Sequence, residues 1–408
     1  MSFALLFLLI FSQGAQVERL PSLPLSVEAA VELACRQNPA LLALAGEVDA
    51  ARGRTGMDSA LPEAEMALEV AGLKFSGAGM VERETSLGLL QTIPFPGKLK
   101  LRERAGRVAE EEAVLRLQRA RLLLAAEVRK AYYRSLLQQK TVEILLKNLE
   151  LLEEIQKNAV SRYALAAVPY SDILRVRLET ARTRNDLIEA RKDLAVSLQE
   201  LTGLLGLKPD QEPVLTSDLE ARQPITELEE LLTRKKELSP TLRLTRLRQD
   251  RAELLVRLAD RDRWPDFSFG LFAPSKKLGA AGFSLGLSYP LFSRKKLTGE
   301  KILAEAERQK AGFEIQAAER FFESRSRQAA AAIVQSREQV RIFEDSLLQD
   351  SGAELDKALE DYRLGKLDSL SLMDLYRSFS LVRLEYYRAI FLYLAALAEF
   401  EAAGENYE

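Results

Sequence analysis

Histidine is absent from this 408-residue chain, and cysteine occurs once, as Cys35. Without histidine there is no Ser-His-Asp or Cys-His catalytic unit and no His-ligated zinc or haem. A single thiol forms neither an internal disulfide nor a thiolate cluster. Excess charge of one sign is also missing. Lys and Arg number 58 against 60 Asp and Glu, a net of −2, where a nucleic-acid binder would show a basic excess. No convergent acid-base set stands out either. The sequence therefore points to no catalytic residue, no metal site, no cofactor and no nucleic-acid partner.

Long apolar runs are scarce. Phe3 to Phe11, followed by the small residues Ser12, Gly14 and Ala15, reads as a secretory signal over residues 1–15, although no basic residue precedes it. Beyond Phe11 no stretch approaches the ~20 apolar residues of a spanning helix. Any entry into a membrane must then be made as a closed barrel. Cys35 lies in a helical pattern well past the signal and reads as a small buried side chain.

Proline and glycine are missing over long intervals. Proline is absent between Pro96 and Pro169 and again after Pro290, and glycine is absent between Gly106 and Pro169. Apolar and charged residues alternate there at helical spacing, which predicts helices from about Lys98 to Arg162 and from about Arg294 to Arg363. At 1.5 Å per residue each is roughly 100 Å long, so an elongated molecule is expected. Mixed-sign runs such as Arg102-Glu103-Arg104 suit solvated faces with i,i+4 pairs.

Four anchors recur in register. Asn38-Pro39 returns as Ser239-Pro240, Pro62 as Pro265, Ser86-Leu87-Gly88-Leu89 as Ser284-Leu285-Gly286-Leu287, and Tyr163 as Tyr362. The near-constant offset argues for duplication. The expected layout is a first repeat over 16–206, a linker over 207–224 and a second repeat over 225–408. Each repeat runs helix, helix, strand, strand, long helix, helix. Ser26 can cap the first helix, with Glu28 in its first turn.

The strands, expected at about 64–72, 83–93, 266–273 and 282–291, carry the most information. Phe283, Leu285, Leu287 and Tyr289 alternate with Ser284, Gly286 and Ser288; Phe267, Phe269 and Leu271 alternate with Ser268 and Gly270; Met66, Leu68 and Val70 alternate with Glu65, Ala67 and Glu69. Such alternation fits a soluble antiparallel sheet on a core or a barrel with lipid outside and water inside. Four strands enclose no core and close no pore, but copies from several protomers could. Phe267, Phe283 and Tyr289 near strand ends would suit a membrane-interface belt.

Taken together, these residues resemble the TolC-like outer-membrane efflux proteins over nearly the whole mature length. Leu25 through Ala30 and Asn38-Pro39-Ala40-Leu41 look like that family's opening helix pair, and the duplicated order is its layout. Gln91 to Lys98 is similar to the heavy-metal efflux branch. The resemblance implies a mainly α fold with a small β part. Three protomers, each giving four strands, would form a 12-stranded transmembrane β-barrel joined to an α-barrel tunnel in the periplasm. It also implies an inner-membrane efflux pump, a periplasmic adapter and outer-membrane lipid as partners.

Two helix tips would then dock the adapter, at Leu165-Ala166 and Leu364-Gly365. The second matches the family's Leu-Gly turn; the first has Ala in place of Gly. Asp172, Tyr362 and Asp374 match the family's periplasmic gate, a phenol-to-carboxylate link being worth about 1.5–3 kcal/mol. Leu367 departs from a basic residue and Ser371 from a second acid, which implies a gate with fewer ionic links. The same tips would serve as ordinary turns, and the same acids as first-turn residues at helix N-termini. The rival function is a soluble helical scaffold or a periplasmic adapter. An adapter, however, carries one hairpin and more β structure than this chain shows.

Overall fold

The structure is a computed structural model that describes residues 23–71, 84–221, 228–274, 282–289, 294–405 and 407. The signal segment lies outside the described residues, as do 72–83, 275–281 and 290–293. The described elements begin with β1 (Leu23–Leu25), α1 (Val27–Gln37), α2 (Pro39–Ser59), β2 (Glu65–Ala71) and β3 (Glu84–Ile93). They continue with α3 (Lys98–Ala164), α4 (Tyr170–Leu205) and β4 (Pro213–Leu215), then α5 (Leu228–Leu238), α6 (Pro240–Arg261), β5 (Asp266–Pro274) and β6 (Gly282–Ser288). The chain ends in α7 (Arg294–Ile342), a π turn (Phe343–Leu347), α8 (Leu348–Arg363) and α9 (Ser369–Ala402). The second long helix runs from Arg294 to Arg363 as sequence periodicity predicts, with one π turn inside it. No proline or glycine interrupts Phe343–Leu347. The chain stays helical, but its hydrogen bonds widen to the i→i+5 pattern, a change that composition does not encode.

Contacts group the chain into two compact units, each taking segments from both halves of the sequence. The first comprises residues up to Pro39, Leu124–Ile225 and Ala329–Glu401. Ser26 caps α1 as expected, its hydroxyl accepting from the Ala29 amide at 3.2 Å. Ala34, not Cys35, turns inward there; Cys35 is half-buried. The buried face of α4 runs Ile173, Val176, Thr180, Thr183, Leu187, Ala190, Ser197, Leu201. From Ile173 to Ala190 the steps alternate three and four residues, and the next is a full heptad to Ser197; this is the seam of left-handed helix packing, and its small residues allow close approach. Gly206 ends α4 at φ 71°, against the Gln37 carbonyl, where a Cβ would sit only 2.8 Å from oxygen. The presumed linker also holds β4, which pairs in parallel with β1. Tyr132, fully buried, locks this pair: its hydroxyl donates to the Leu25 carbonyl at 2.7 Å and accepts from the Ser217 amide at 3.2 Å.

The second unit comprises Ala40–Leu123, Thr226–Gln328 and Ala402–Glu408. It contains an antiparallel sheet of order β2-β3-β5-β6. Its helical core includes Leu242, Ala318 and Phe322. The carboxylate of buried Glu405 accepts from the Thr241 amide at 3.0 Å in the first turn of α6, where a negative charge meets the positive end of the helix.

Candidate functional site

The sheet register places all the apolar alternates on one face. Met66 pairs with Leu89 and Leu68 with Leu87; Leu89 pairs with Leu271 and Ile93 with Phe267; Phe269 pairs with Leu285 and Leu271 with Phe283. That continuous face is solvent-exposed, from Met66 at 75% to Leu285 at 76%. Water-facing apolar surface of this size marks a membrane or a protein partner. The opposite face carries Ser268 against Gly286 and Gly270 against Ser284. A Cβ at Gly270 or Gly286 would lie 2.3 or 2.2 Å from the facing serine hydroxyl, so these glycines let the strands crowd on the small-residue face. Among the described residues β2 and β6 are the outer strands of the sheet, each paired on one side, and an outer strand is a template for pairing with another chain. No helix among the described residues is long and apolar enough to cross a membrane.

Where the sheet meets the helices, two chain segments are pinned together. Lys98 is buried, and its ammonium donates to the Trp264 carbonyl at 2.9 Å and to Asp266 Oδ1 at 2.8 Å; Asp262 lies 3.7 Å away. The same Asp266 oxygen accepts from the Phe95 amide at 2.8 Å. Phe95 stacks on Trp264 at 5.1 Å and on Phe267 at 6.4 Å. The carboxylate thus ties the end of β3, the start of α3 and the start of β5 into one corner.

In the first unit the two helix tips share one backbone geometry. Ala166 has φ 56° and Gly365 φ 75°, both left-handed. The Ala166 amide donates to the Tyr163 carbonyl and the Ala167 amide to that of Arg162, each at 2.9 Å. Likewise the Gly365 amide donates to Tyr362 at 3.0 Å and the Lys366 amide to Asp361 at 2.8 Å. This is the Schellman pattern twice over, and the alanine adopts the turn that its side chain disfavours. Leu165 and Leu364 point outward, 80% and 62% exposed.

The three acid and phenol residues singled out by resemblance sit close by in unlike surroundings. Tyr362 is 2% exposed, packed with Ile155, Val176 and Leu372. The Arg162 guanidinium lies over its ring at 5.4 Å and donates to its carbonyl at 3.3 Å. Burial pushes the phenol above its ordinary range; Arg162 opposes that, and the negative charge of Asp172 adds to it. Asp172 occupies the first turn of α4, half-buried. Asp374 is exposed, with Arg377 3.8 Å away on its own helix. Ser371 and Leu367, the two departures, are used locally: Asp368 caps α9 by accepting from the Ser371 amide at 3.0 Å, and Leu367 packs on the Tyr362 cluster.

Sequence reasoning missed the ionic links between the hairpins. Arg377 on α9 grips Glu179 on α4 with two hydrogen bonds, one of 2.8 Å and one shorter. Its fork holds the Glu179 carboxyl below the usual carboxylate range. Arg363 on α8 pairs with Glu154 on α3. A sequence of mixed charges reads as a solvated helix face, and only the placement of the helices selects these partners. Among the described residues no three metal-ligating side chains converge on a common point.

Residues 30–207 match the sequence profile of the outer membrane efflux proteins. The cobalt-zinc-cadmium resistance protein CzcC of Cupriavidus metallidurans is 25% identical over 368 residues, covering 89% of this chain and 86% of that protein. Among solved structures, the Campylobacter jejuni CmeC outer membrane channel superposes with a TM-score of 0.78 at 17% identity, covering 94% of this chain and 86% of that one. CusC gives 0.75 at 18% identity, with 92% and 90% covered. The open state of Neisseria gonorrhoeae MtrE gives 0.74 at 17%, with 93% and 88% covered. The match over residues 30–207, the likeness to CzcC and a fold shared along nine-tenths of the chain with solved outer-membrane channels make this chain similar to the outer membrane efflux proteins.

Proposed function

We propose that three copies of this chain form the outer-membrane duct of a tripartite efflux system. The observation that carries this reading is the sheet: four antiparallel strands, apolar and exposed on one face, and on the other small or polar apart from Leu90 and Phe272. A lone sheet of this kind leaves its apolar face in water. Joining β6 of one copy to β2 of the next would give twelve strands, put that face on lipid and line a wet lumen. The helices would continue the passage through the periplasm, their charged faces wet on both walls. Transport energy would come from an inner-membrane pump, and a periplasmic adapter would seat on the tips at Leu165, Ala166, Leu364 and Gly365, whose exposed leucines and matched turns suit a repeated docking groove.

Asp172, Tyr362 and Asp374 would form the periplasmic gate, reinforced by the Arg377–Glu179 and Arg363–Glu154 pairs between hairpins. Cargo is proposed as small solutes or ions. Because CzcC is named for cobalt, zinc and cadmium resistance, those ions are the first to assay.

The decisive test is purification of the mature chain. A detergent-dependent, heat-labile trimer that conducts ions in planar bilayers is the expected result. A soluble monomer without detergent overturns the barrel and returns the reading to a scaffold or adapter. For the gate, replacing Asp172 with Asn and Tyr362 with Phe together should raise bilayer conductance; unchanged conductance rejects those residues as the closure.

A further inference from the structure

Next to the stacked Phe95 and Trp264 lies an open cleft of about 660 Å³, lined by Lys100 and Arg104 of α3 and by Arg257 and Arg261 of α6. All four cations are exposed. Arg261 donates to the Pro96 carbonyl at 3.5 Å, and its guanidinium lies 3.9 Å from where a Cβ on Gly97 would be. The one acid in the lining, Asp260, is committed to Lys301 at 3.0 Å. Among the described residues none of the four cations has a carboxylate within 4 Å, whereas their neighbour Lys98 is held by Asp266. In a chain of net charge −2 whose surface cations are often paired, four uncompensated ones in a single cleft call for an anion from outside.

The position says which anion. Phe95 stacks on Phe267, and Phe267 stands on the apolar sheet face with Ile93 and Leu287. The cleft therefore opens where that apolar surface ends and the charged helices begin. On a membrane-inserted barrel this is the level of the lipid headgroups, with Trp264 as the interfacial aromatic. We infer that the cleft binds the phosphate of a glycerophospholipid in the leaflet on the helix side, with the acyl chains lying along the exposed apolar strands. The inference rests on the proposed barrel. Phosphate supplies the charge, and guanidinium forks match its oxygens; the adjoining aromatic pair and apolar face supply the chain contact that a free anion would not use.

The test uses the full-length detergent-solubilised trimer and native mass spectrometry with added phosphatidylglycerol, in the wild type and in the Arg257→Gln/Arg261→Gln variant. Two charges worth about a factor of five each at an anionic surface predict roughly 25-fold weaker lipid retention. Arg191→Gln/Lys192→Gln on the α4 surface removes the same charge elsewhere and should leave retention unchanged. Lys100→Gln/Arg104→Gln attacks the cleft from the other helix and covers the case in which loss of the Arg261–Pro96 contact disturbs folding. Millimolar inorganic phosphate should not displace the lipid; displacement by phosphate alone would make this a free-anion site and overturn the proposal. Equal retention in wild type and both cleft variants also overturns it, while the trimer and its conductance would still stand. Failure of the wild type to form a detergent-bound trimer instead removes the barrel beneath it.

Discussion

Ala166 and Gly365 occupy equivalent turns, so exchanging their residue types gives a controlled pair of perturbations. An L-residue in the left-handed region pays roughly 1–2 kcal/mol, and glycine gives back about 0.4–1 kcal/mol through the freer unfolded chain. Ala166→Gly should therefore stabilise its tip by about 0.5–1 kcal/mol. Gly365→Ala should destabilise the other by a similar amount. At Gly365 a new Cβ would meet only Arg162 Nη2, at 3.6 Å, an ordinary contact, so the effect isolates backbone strain. The readout is amide hydrogen exchange at Ala167 and Lys366, the two N–H groups that close the turns onto Arg162 and Asp361. Half to one kcal/mol is about a two- to fivefold change in the local opening equilibrium, slower exchange at Ala167 in the first variant and faster at Lys366 in the second. Unchanged exchange in both, or a shift of the same sign in both, refutes the assignment of equivalent strained turns.

Three further outcomes follow from the contacts described. Asp266→Leu leaves the buried Lys98 ammonium without its closest carboxylate and should cost about 3 kcal/mol, measured by denaturant midpoint; Lys98→Met leaves only a part-exposed acid and should cost clearly less. The Glu179 carboxyl is depressed by Arg377, so the stability it contributes is present above the ordinary glutamate range near pH 4.3 and lost as pH falls through its lower folded value. Bilayer conductance should therefore rise at the acid end, and Glu179→Gln should abolish that pH dependence. Burial lowers Lys235 to about 8, despite the nearby Glu405. The unfolded chain binds the extra proton between about pH 8 and the ordinary lysine range, so stability rises with pH across that interval. Lys235→Met should flatten that rise in thermal melts.

Much of this was legible in the chain because its signals are local. Missing proline, with no glycine beyond Gly106, let α3 run from Lys98 to Ala164, Ser26 capped α1, and alternate Phe, Leu, Ser and Gly placed one apolar face on β5 and β6. What stayed hidden depends on distant partners. The β1–β4 pair is three residues long and joins Leu23 to Pro213, too short to leave a pattern. The turn at Ala166 is set by the tip geometry rather than by a glycine. The grip of Arg377 on Glu179 and the pull of Asp266 on three chain segments use charges that look, one by one, like any on a helix surface.

The open edges of the sheet carry a genetic consequence. In the proposed ring of three, every copy supplies one β2 edge and one β6 edge, and a single copy unable to pair leaves the whole ring unclosed. A cell expressing equal amounts of the intact chain and of one carrying proline in β6 would assemble only about one ring in eight from intact copies alone. The defective allele should then behave as dominant, and the yield of closed rings should fall far more steeply than the dose of healthy chain.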